Sequence, residues 1–397
     1  MPWIIYIGPM RMSLYRFLLL IMVLPCMSMW ATGKAGRIRI ADIALILYWI
    51  WGTVSFMDNN GLPASLQPSG IGFVETLGAY MLGRCYVRNA NDFYNMITLL
   101  FMIVAFLFPF AIFELLTGTN VLSGAFEIIF PTVAGLTGPD EMRAGLFRAR
   151  TVFDHPILFG MCTGNILALV HLVLGYQKSF FQRALRSGIV AATSLCSLSA
   201  GPLAALAVQG LLLAWNGLLR NVKSRWKILI GLLLMLVLAL ELFAKRTPVE
   251  IFLQYLLYDP LSYWYRVLEW SYGWASVMKH PLFGLGLNDW ERGATMLPSI
   301  DSFWLALAVQ HGLVTVFFLW LSVFSVFSVV ALTKGLDRKL IEYRTGFLIT
   351  MTAFFVLGWT VAFWDHAYVL FLFVLGSGVW IADAKEAPAG KRSAGLD

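Results

Sequence analysis

Residues 94–117 read YNMITLLFMIVAFLFPFAIFELLT. As an α-helix this stretch is about 36 Å long at 1.5 Å per residue, enough to cross the roughly 30 Å hydrocarbon core of a bilayer. It is apolar on every face, which no helix on the surface of a water-soluble domain sustains. Comparable runs recur at 15–31, 40–57, 69–87, 153–175, 187–200, 202–219, 227–244, 313–333, 346–363 and 367–382. The expected fold class is therefore all-α: a polytopic helical membrane protein with about eleven transmembrane helices. Across 397 residues, 59% are hydrophobic and 13% charged, against about 25% charged in soluble domains. A membrane β-barrel would show short alternating segments instead.

The net charge is +7, but Lys and Arg gather in short connections: Lys34/Arg37/Arg39, Arg84/Arg88, Lys178/Arg183/Arg186, Arg220/Lys223/Arg225/Lys227 and Lys334/Arg338/Lys339/Arg344. With eleven helices these fall on one side, which the positive-inside rule makes cytoplasmic. The charge thus sets membrane orientation and does not point to nucleic acid. The same arithmetic puts the N-terminus outside, although it carries Arg11 and Arg16. Either residues 2–10 form a short membrane-inserting piece or one helix is miscounted. Arg11 and Arg16 before the apolar run 17–30 resemble a signal peptide, yet no clean small-residue cleavage site follows, so an uncleaved first helix is expected. Cys26, Cys85, Cys162 and Cys196 lie in or beside apolar segments and read as packing residues.

The chain then divides into N-terminal membrane helices over 1–244 with an outer loop at 118–152, a large outer loop at 245–312, C-terminal membrane helices over 313–382 and a polar, disordered cytoplasmic tail at 383–397. The 245–312 loop is too long and too rich in chemistry to be a connector. From Tyr263 to Gly312 it carries Arg, Glu, Lys, His and Asp among many Trp and Tyr. Its first part, Leu261 to Met278, reads as a helix with Tyr263, Arg266 and Trp270 on one face. That face either forms an aromatic interfacial belt or binds a pyrophosphate beside sugar rings. His280 sits in the KHPLFGLG turn, as a titrating group or a helix-end cap. Asn288, Asp289, Trp290 and Arg292 follow. Asp301 opens the next helix, as its N-cap or as a general base.

In the other outer loop, Arg143, Arg148 and Arg150 precede Asp154-His155-Pro156, where Asp154 is expected to cap and Pro156 to start a helix. Arginines beside a helix N-terminus make a phosphate cradle, or else snorkelling anchors. Ser197 to Pro202 (SLSAGP) is either a plain hairpin turn or one whose free N–H groups face a ligand. Asp58-Asn59-Asn60 reads as a turn. Glu75 and Arg84 lie within a membrane segment, as functional charges or as structural ion pairs. No DxD, HExxH, P-loop or CxxC pattern occurs, so no metal site and no cofactor are expected.

Taken in order, FRARTVFDHPILFG, SLSAGP, YRVLEW, KHPLFGLG, GLGLNDWER and SIDSFWLALAVQHGL resemble the O-antigen polymerase/ligase superfamily of bacterial envelope enzymes, over roughly 75–380. The nearest likeness is to exopolysaccharide polymerases of the succinoglycan type. The resemblance implies a GT-C-like membrane glycosyltransferase of the bacterial inner membrane, active at its periplasmic face. It would act on glycans carried by undecaprenyl pyrophosphate, as donor and as acceptor, amid membrane lipids and beside a chain-length regulator of the export machinery. Where the ligases of that superfamily have a His-Asn motif this chain has Asp301-Ser302, and Ala200 stands where they have Arg. The expectation is a metal-independent, inverting polymerase. Its catalytic pair is Arg266 and Asp301; its substrate contacts are Arg148, Arg150, His155, Tyr263, Trp270, His280, Asn288, Asp289, Trp290 and Arg292. The alternatives are a ligase moving glycan to lipid A core, or a flippase or exporter of lipid-linked glycan.

Overall fold

The computed structural model describes residues 4–7, 10–129, 142–243 and 260–384. Within them the chain is helical nearly throughout, and eight helices are long and apolar enough to cross a membrane. The expected all-α, membrane-embedded architecture is what the described residues show. Parts of both outer loops, 130–141 and 244–259, and most of the tail, 385–397, lie outside the described residues.

Near the start of the chain β1 (Ile4–Ile7) pairs antiparallel with β2 (Met10–Ser13). Helix α1 (Leu14–Ala31) follows. Next comes α2 (Ile40–Phe73), continued by a π-helical turn (Val74–Gly78) and α3 (Ala79–Tyr86). This run joins the two segments expected at 40–57 and 69–87, but it is not one straight rod. Gly61, at φ 76° and ψ 164°, breaks the helical path. Trp49 Nε1 donates to the Ser69 carbonyl at 3.0 Å and the Tyr80 hydroxyl to Asp42 at 2.6 Å. In a straight helix Asp42 and Tyr80 would be ~57 Å apart. The run is thus a tight helical hairpin, with the break at Gly61 just after Asp58-Asn59-Asn60.

The remaining helices are α4 (Ala90–Thr117), α5 (Val121–Ile129), α6 (Pro156–Gly164), the single turn α7 (Leu167–Leu169) running into a π-helical stretch (Val170–Leu174), α8 (Phe180–Leu195), α9 (Ala200–Leu218), α10 (Arg225–Phe243), α11 (Pro260–Lys279), α12 (Phe303–His311), α13 (Leu313–Leu332), α14 (Arg338–Leu357) and α15 (Asp365–Ser377). A two-residue ribbon, β3 (Met142–Arg143) with β4 (Leu146–Phe147), lies before α6. Two helices start earlier than their apolar runs. α8 and α14 take in Arg183, Arg186, Arg338, Lys339 and Arg344, which the charge pattern assigned to loops. Long basic side chains can reach back from a helix to its end. Arg186 donates to the Leu174 carbonyl and Arg344 to the Thr333 carbonyl, at 2.7 and 2.8 Å, satisfying the ends of the preceding segments.

The connections sort into two groups. Residues 35–37, Arg84, Arg88, Leu340 and Asp383 line one shared recess at the basic end. There Arg84 donates to the carbonyls of Ala35 and Arg37 and stands 3.6 Å from Asp42, while Arg39 pairs with Asp383. At the other end the Gly61 bend meets 283–288 and the 358–361 connection meets 301–304. Between the ends, aromatic and aliphatic side chains of α2, α3, α12, α13, α14 and α15 form the main core, with Tyr80, Tyr343, Phe347, Phe354 and Phe371 fully buried.

Candidate functional site

Helix α11 opens on Pro260, whose fixed φ suits a first helical position. It matches the helix expected at 261–278. After it the KHPLFGLG turn folds under α12. Leu285 N–H donates to Val309 O at 2.9 Å, Gly286 N–H to Gln310 O at 2.8 Å and Leu313 N–H to Pro281 O at 2.8 Å. Gly284 has φ 61° and Gly312 φ 81°, and a Cβ on either would come within 2.5 Å of facing backbone. These glycines are therefore demanded by conformation and by close approach. The turn locks the C-terminal end of α12, and the 358–361 connection locks its start. Phe303 N–H reaches Val361 O at 3.2 Å and Ser302 Oγ reaches Gly358 O at 3.3 Å.

Asp301 is held at that start. Its expected role as N-cap falls to Ser302, whose hydroxyl accepts from Leu305 N–H at 3.4 Å. The Asp301 carboxylate instead meets the Arg266 guanidinium at 2.5 Å. Both residue types cap helices well; a charge-assisted contact to Arg266 is the stronger demand on the carboxylate. Arg266 also contacts Glu269 at 3.2 Å and donates to Thr360 O at 3.2 Å. Glu269 accepts from the Asp301 N–H at 3.2 Å. Arg266, Glu269 and Asp301 close a ring between α11 and the start of α12, and Arg266 ties it to the 358–361 connection through Thr360 O. Exposure grades across it: the Glu269 side chain is 7% exposed, Arg266 12% and Asp301 43%. Burial raises the Glu269 carboxyl to about 7, with nearby Asp301 adding to the rise and Arg266 opposing it. The ring therefore offers an open carboxylate, a cation behind it and a buried acid near neutral pKa. Trp270, one turn on from Arg266, stacks on Trp359 at 5.3 Å. Tyr263 sits one turn before Arg266 on the same helix, half-buried.

The other residues named from the sequence are distributed elsewhere. His280 is exposed just past the end of α11, fourteen positions from Arg266, or ~21 Å along the helix. Asn288 accepts weakly from Asn60 at 3.4 Å. Asp289 pairs with Arg292, which donates to Met296 O at 3.3 Å, and Trp290 buries its ring while Nε1 donates to Pro298 O at 2.8 Å. This is a loop folded on its own side chains. Arg292 holds the exposed Asp289 carboxyl below its usual range, as Lys279 does for Glu291.

Arg148, 7% exposed, donates to Ser197 O at 3.3 Å and to Ser199 Oγ at 2.8 Å; Arg143 donates to Leu198 O at 3.2 Å. The SLSAGP turn thus presents carbonyls to arginines. Its Ser197 and Leu198 N–H groups are already bonded to Ser194 and Leu195 carbonyls, so for these two the expected free donors are not found. Arg150 precedes Thr151, whose N–H donates to the buried Glu114 at 2.8 Å. The N-cap of α6 is His155 where Asp154 was expected: His155 Nδ1 accepts from Ile157 N–H at 3.1 Å, and Pro156 takes the first helical position. Glu75 and Arg84 do not meet. Glu75 binds Arg16 at 2.7 Å, and Arg16 also binds Asp365 at 2.8 Å. Those pairs account for a basic residue at the expected outer end of α1.

Reasoning from sequence missed Glu269 and the Thr360 carbonyl. For Glu269 a signal existed: it stands three residues after Arg266, hence on the same helical face. A backbone carbonyl leaves none. The chain matches no protein-family model and no curated protein.

Proposed function

We propose that the protein is a GT-C-like membrane glycosyltransferase that lengthens glycans carried on undecaprenyl pyrophosphate, at the periplasmic face of a bacterial inner membrane. The eight long apolar helices, the second leg of the Gly61 hairpin, α8 and α10 give eleven crossings on this reading, with the Arg266 ring on the face away from the basic connections. The observation that carries the proposal is the 2.5 Å meeting of Arg266 and Asp301 in a partly open ring backed by Glu269.

In the proposed reaction the donor pyrophosphate competes with Asp301 for Arg266. Guanidinium pairs with phosphate oxygens in two parallel contacts, so the exchange is chemically matched. The released Asp301 carboxylate then takes the proton of the acceptor hydroxyl. The acceptor oxygen bonds to the anomeric carbon as the bond from that carbon to pyrophosphate oxygen breaks, with inversion. Arg266 stabilises the charge gathering on the leaving pyrophosphate. No metal ion or cofactor takes part in this scheme. A chain-length regulator would act on the same complex from outside the chain.

The test is an extension assay with purified protein and lipid-linked repeat units, with and without chelator. A ladder of longer lipid-linked glycans that survives chelation supports the proposal. Transfer to lipid A core in its place supports a ligase, and movement of glycan across vesicles without new linkages supports a transporter.

A further inference from the structure

A second polar feature lies on the far side of α12. A half-enclosed cavity of about 370 Å³ is formed by α2, its π-helical extension, α12, α13 and α15. Binding pockets for small molecules begin at about 300 Å³ and combine apolar walls with a few placed polar groups. The walls here are aromatic: Trp49, Phe56, Phe303 and Phe363. Phe303 lies two residues from Asp301, at most ~7 Å along the chain. The polar groups are hydroxyls, the Gln310 amide and the His311 imidazole. Tyr368 bridges Thr76 at 2.8 Å and Tyr48 at 3.1 Å, and Gln310 lines the cavity near the C-terminal end of α12. Glu75 also lines the cavity, but its carboxylate already takes Arg16 at 2.7 Å and the Tyr15 hydroxyl at 2.6 Å.

Three further lining groups are unaccounted for. Thr53 Oγ1, Ser69 Oγ and His311 Nδ1 are buried and have no hydrogen-bond partner among the described residues, and Ser69 is more than nine-tenths buried. Buried hydroxyls are normally satisfied. Unpaired hydroxyls between aromatic walls, with the one acid already neutralised, match a ligand that is rich in hydroxyls, has apolar C–H faces and bears no charge. The geometry points to a binding site for one uncharged sugar ring in this cavity, one wall of which, Phe303, is two residues from Asp301. This rests on the glycosyltransferase reading for its purpose, and on the cavity alone for its chemistry.

Saturation-transfer NMR on the full chain in nanodiscs tests it, with methyl glucoside and methyl galactoside as probes and glucuronate as the charged control. At least one neutral glycoside is expected to receive saturation, and glucuronate none. Thr53→Val swaps an unpaired buried hydroxyl for a methyl of the same shape, so its melting temperature should hold or rise while glycoside affinity falls about tenfold. Gln310→Leu should weaken binding likewise, and Arg266→Ala should leave binding intact. No saturation of either neutral glycoside overturns the site, as does saturation unchanged in both cavity variants. If glycosides fail to bind while lipid-linked chains still lengthen, the site falls and the polymerase stands. If they bind through the cavity and no chain lengthens, the polymerase falls and the sugar site stands.

Discussion

Arg266–Asp301 and Arg292–Asp289 are the same pair of residue types within residues 260–312, the first expected from sequence as a catalytic pair and the second as substrate contacts. Their settings differ. Arg292 and Asp289 are three residues apart on one loop, with the Asp289 side chain 64% exposed. Arg266 and Asp301 are 35 residues apart and tie α11 to the start of α12. Behind them the side chain of a second carboxylate, Glu269, is 7% exposed. Exposed pairs are screened by water and contribute little; a pair with a buried third charge cannot lose a member without leaving another uncompensated. The comparison teaches that burial and convergence, rather than residue type, separate a site from a loop staple.

The largest effect should come from Arg266→Ala. It removes the cation from two carboxylates at once, and we expect glycan extension to fall at least about a hundredfold, the scale of losing one stabilising donor in a transition state. Arg266→Lys keeps the charge but not the fork that reaches Asp301, Glu269 and Thr360 together, so it should recover only part of the rate. Extension near the normal rate in the alanine variant would reduce Arg266 to a structural strut.

Arg148→Ala should behave differently. Arg148 holds the turn between α8 and α9 through Ser197 O and Ser199 Oγ. Loss of those buried bonds should destabilise the fold by about 1–3 kcal/mol, seen as a lower melting temperature in detergent. Activity per folded molecule should fall less than in Arg266→Ala. A variant with wild-type melting and no activity would move Arg148 into the substrate site.

Glu269→Gln sharpens the comparison through pH. The Glu269 carboxyl is raised from 4.5 to about 7, chiefly by burial. The folded state therefore holds a proton that the unfolded state has released between those values. Its contribution to stability is full below about 4.5 and is lost as pH rises through about 7. Melting temperature should decline over that window in the wild type and decline less in the glutamine variant. Matching profiles would show that Glu269 is ionised throughout.

Hydropathy made most of the membrane helices legible, because apolar length is a property of single segments. Even the Gly61 hairpin was visible as two runs, although helical hydrogen bonding nearly closes the gap between them. The site was half legible. Arg266 and Asp301 stood out as charges among aromatics, but their contact depends on how α12 docks on the 358–361 connection. Glu269 was missed although it stands three residues from an arginine, since burial is not written in spacing. Asp154 and Asp301 were read as caps on good local grounds, and each lost that place to its neighbour, His155 and Ser302. Local propensity ranks candidates for a cap; tertiary contacts choose among them.

The smallest effect is expected at the loop staple. Asp289→Ala breaks the contact to Arg292, but Arg292 keeps its bond to Met296 O, and Trp290 keeps its buried ring and its bond to Pro298 O. The loop should therefore hold, with extension within about twofold of normal and melting almost unchanged, as for exposed ion pairs generally. Salt should matter little to the variant and only slightly to the wild type. A loss comparable to that of Arg266→Ala would mean that the exposed Asp289 carboxylate meets substrate directly. The contrast between buried ring and exposed staple would then fail, and the reacting centre would have to include the 288–298 loop.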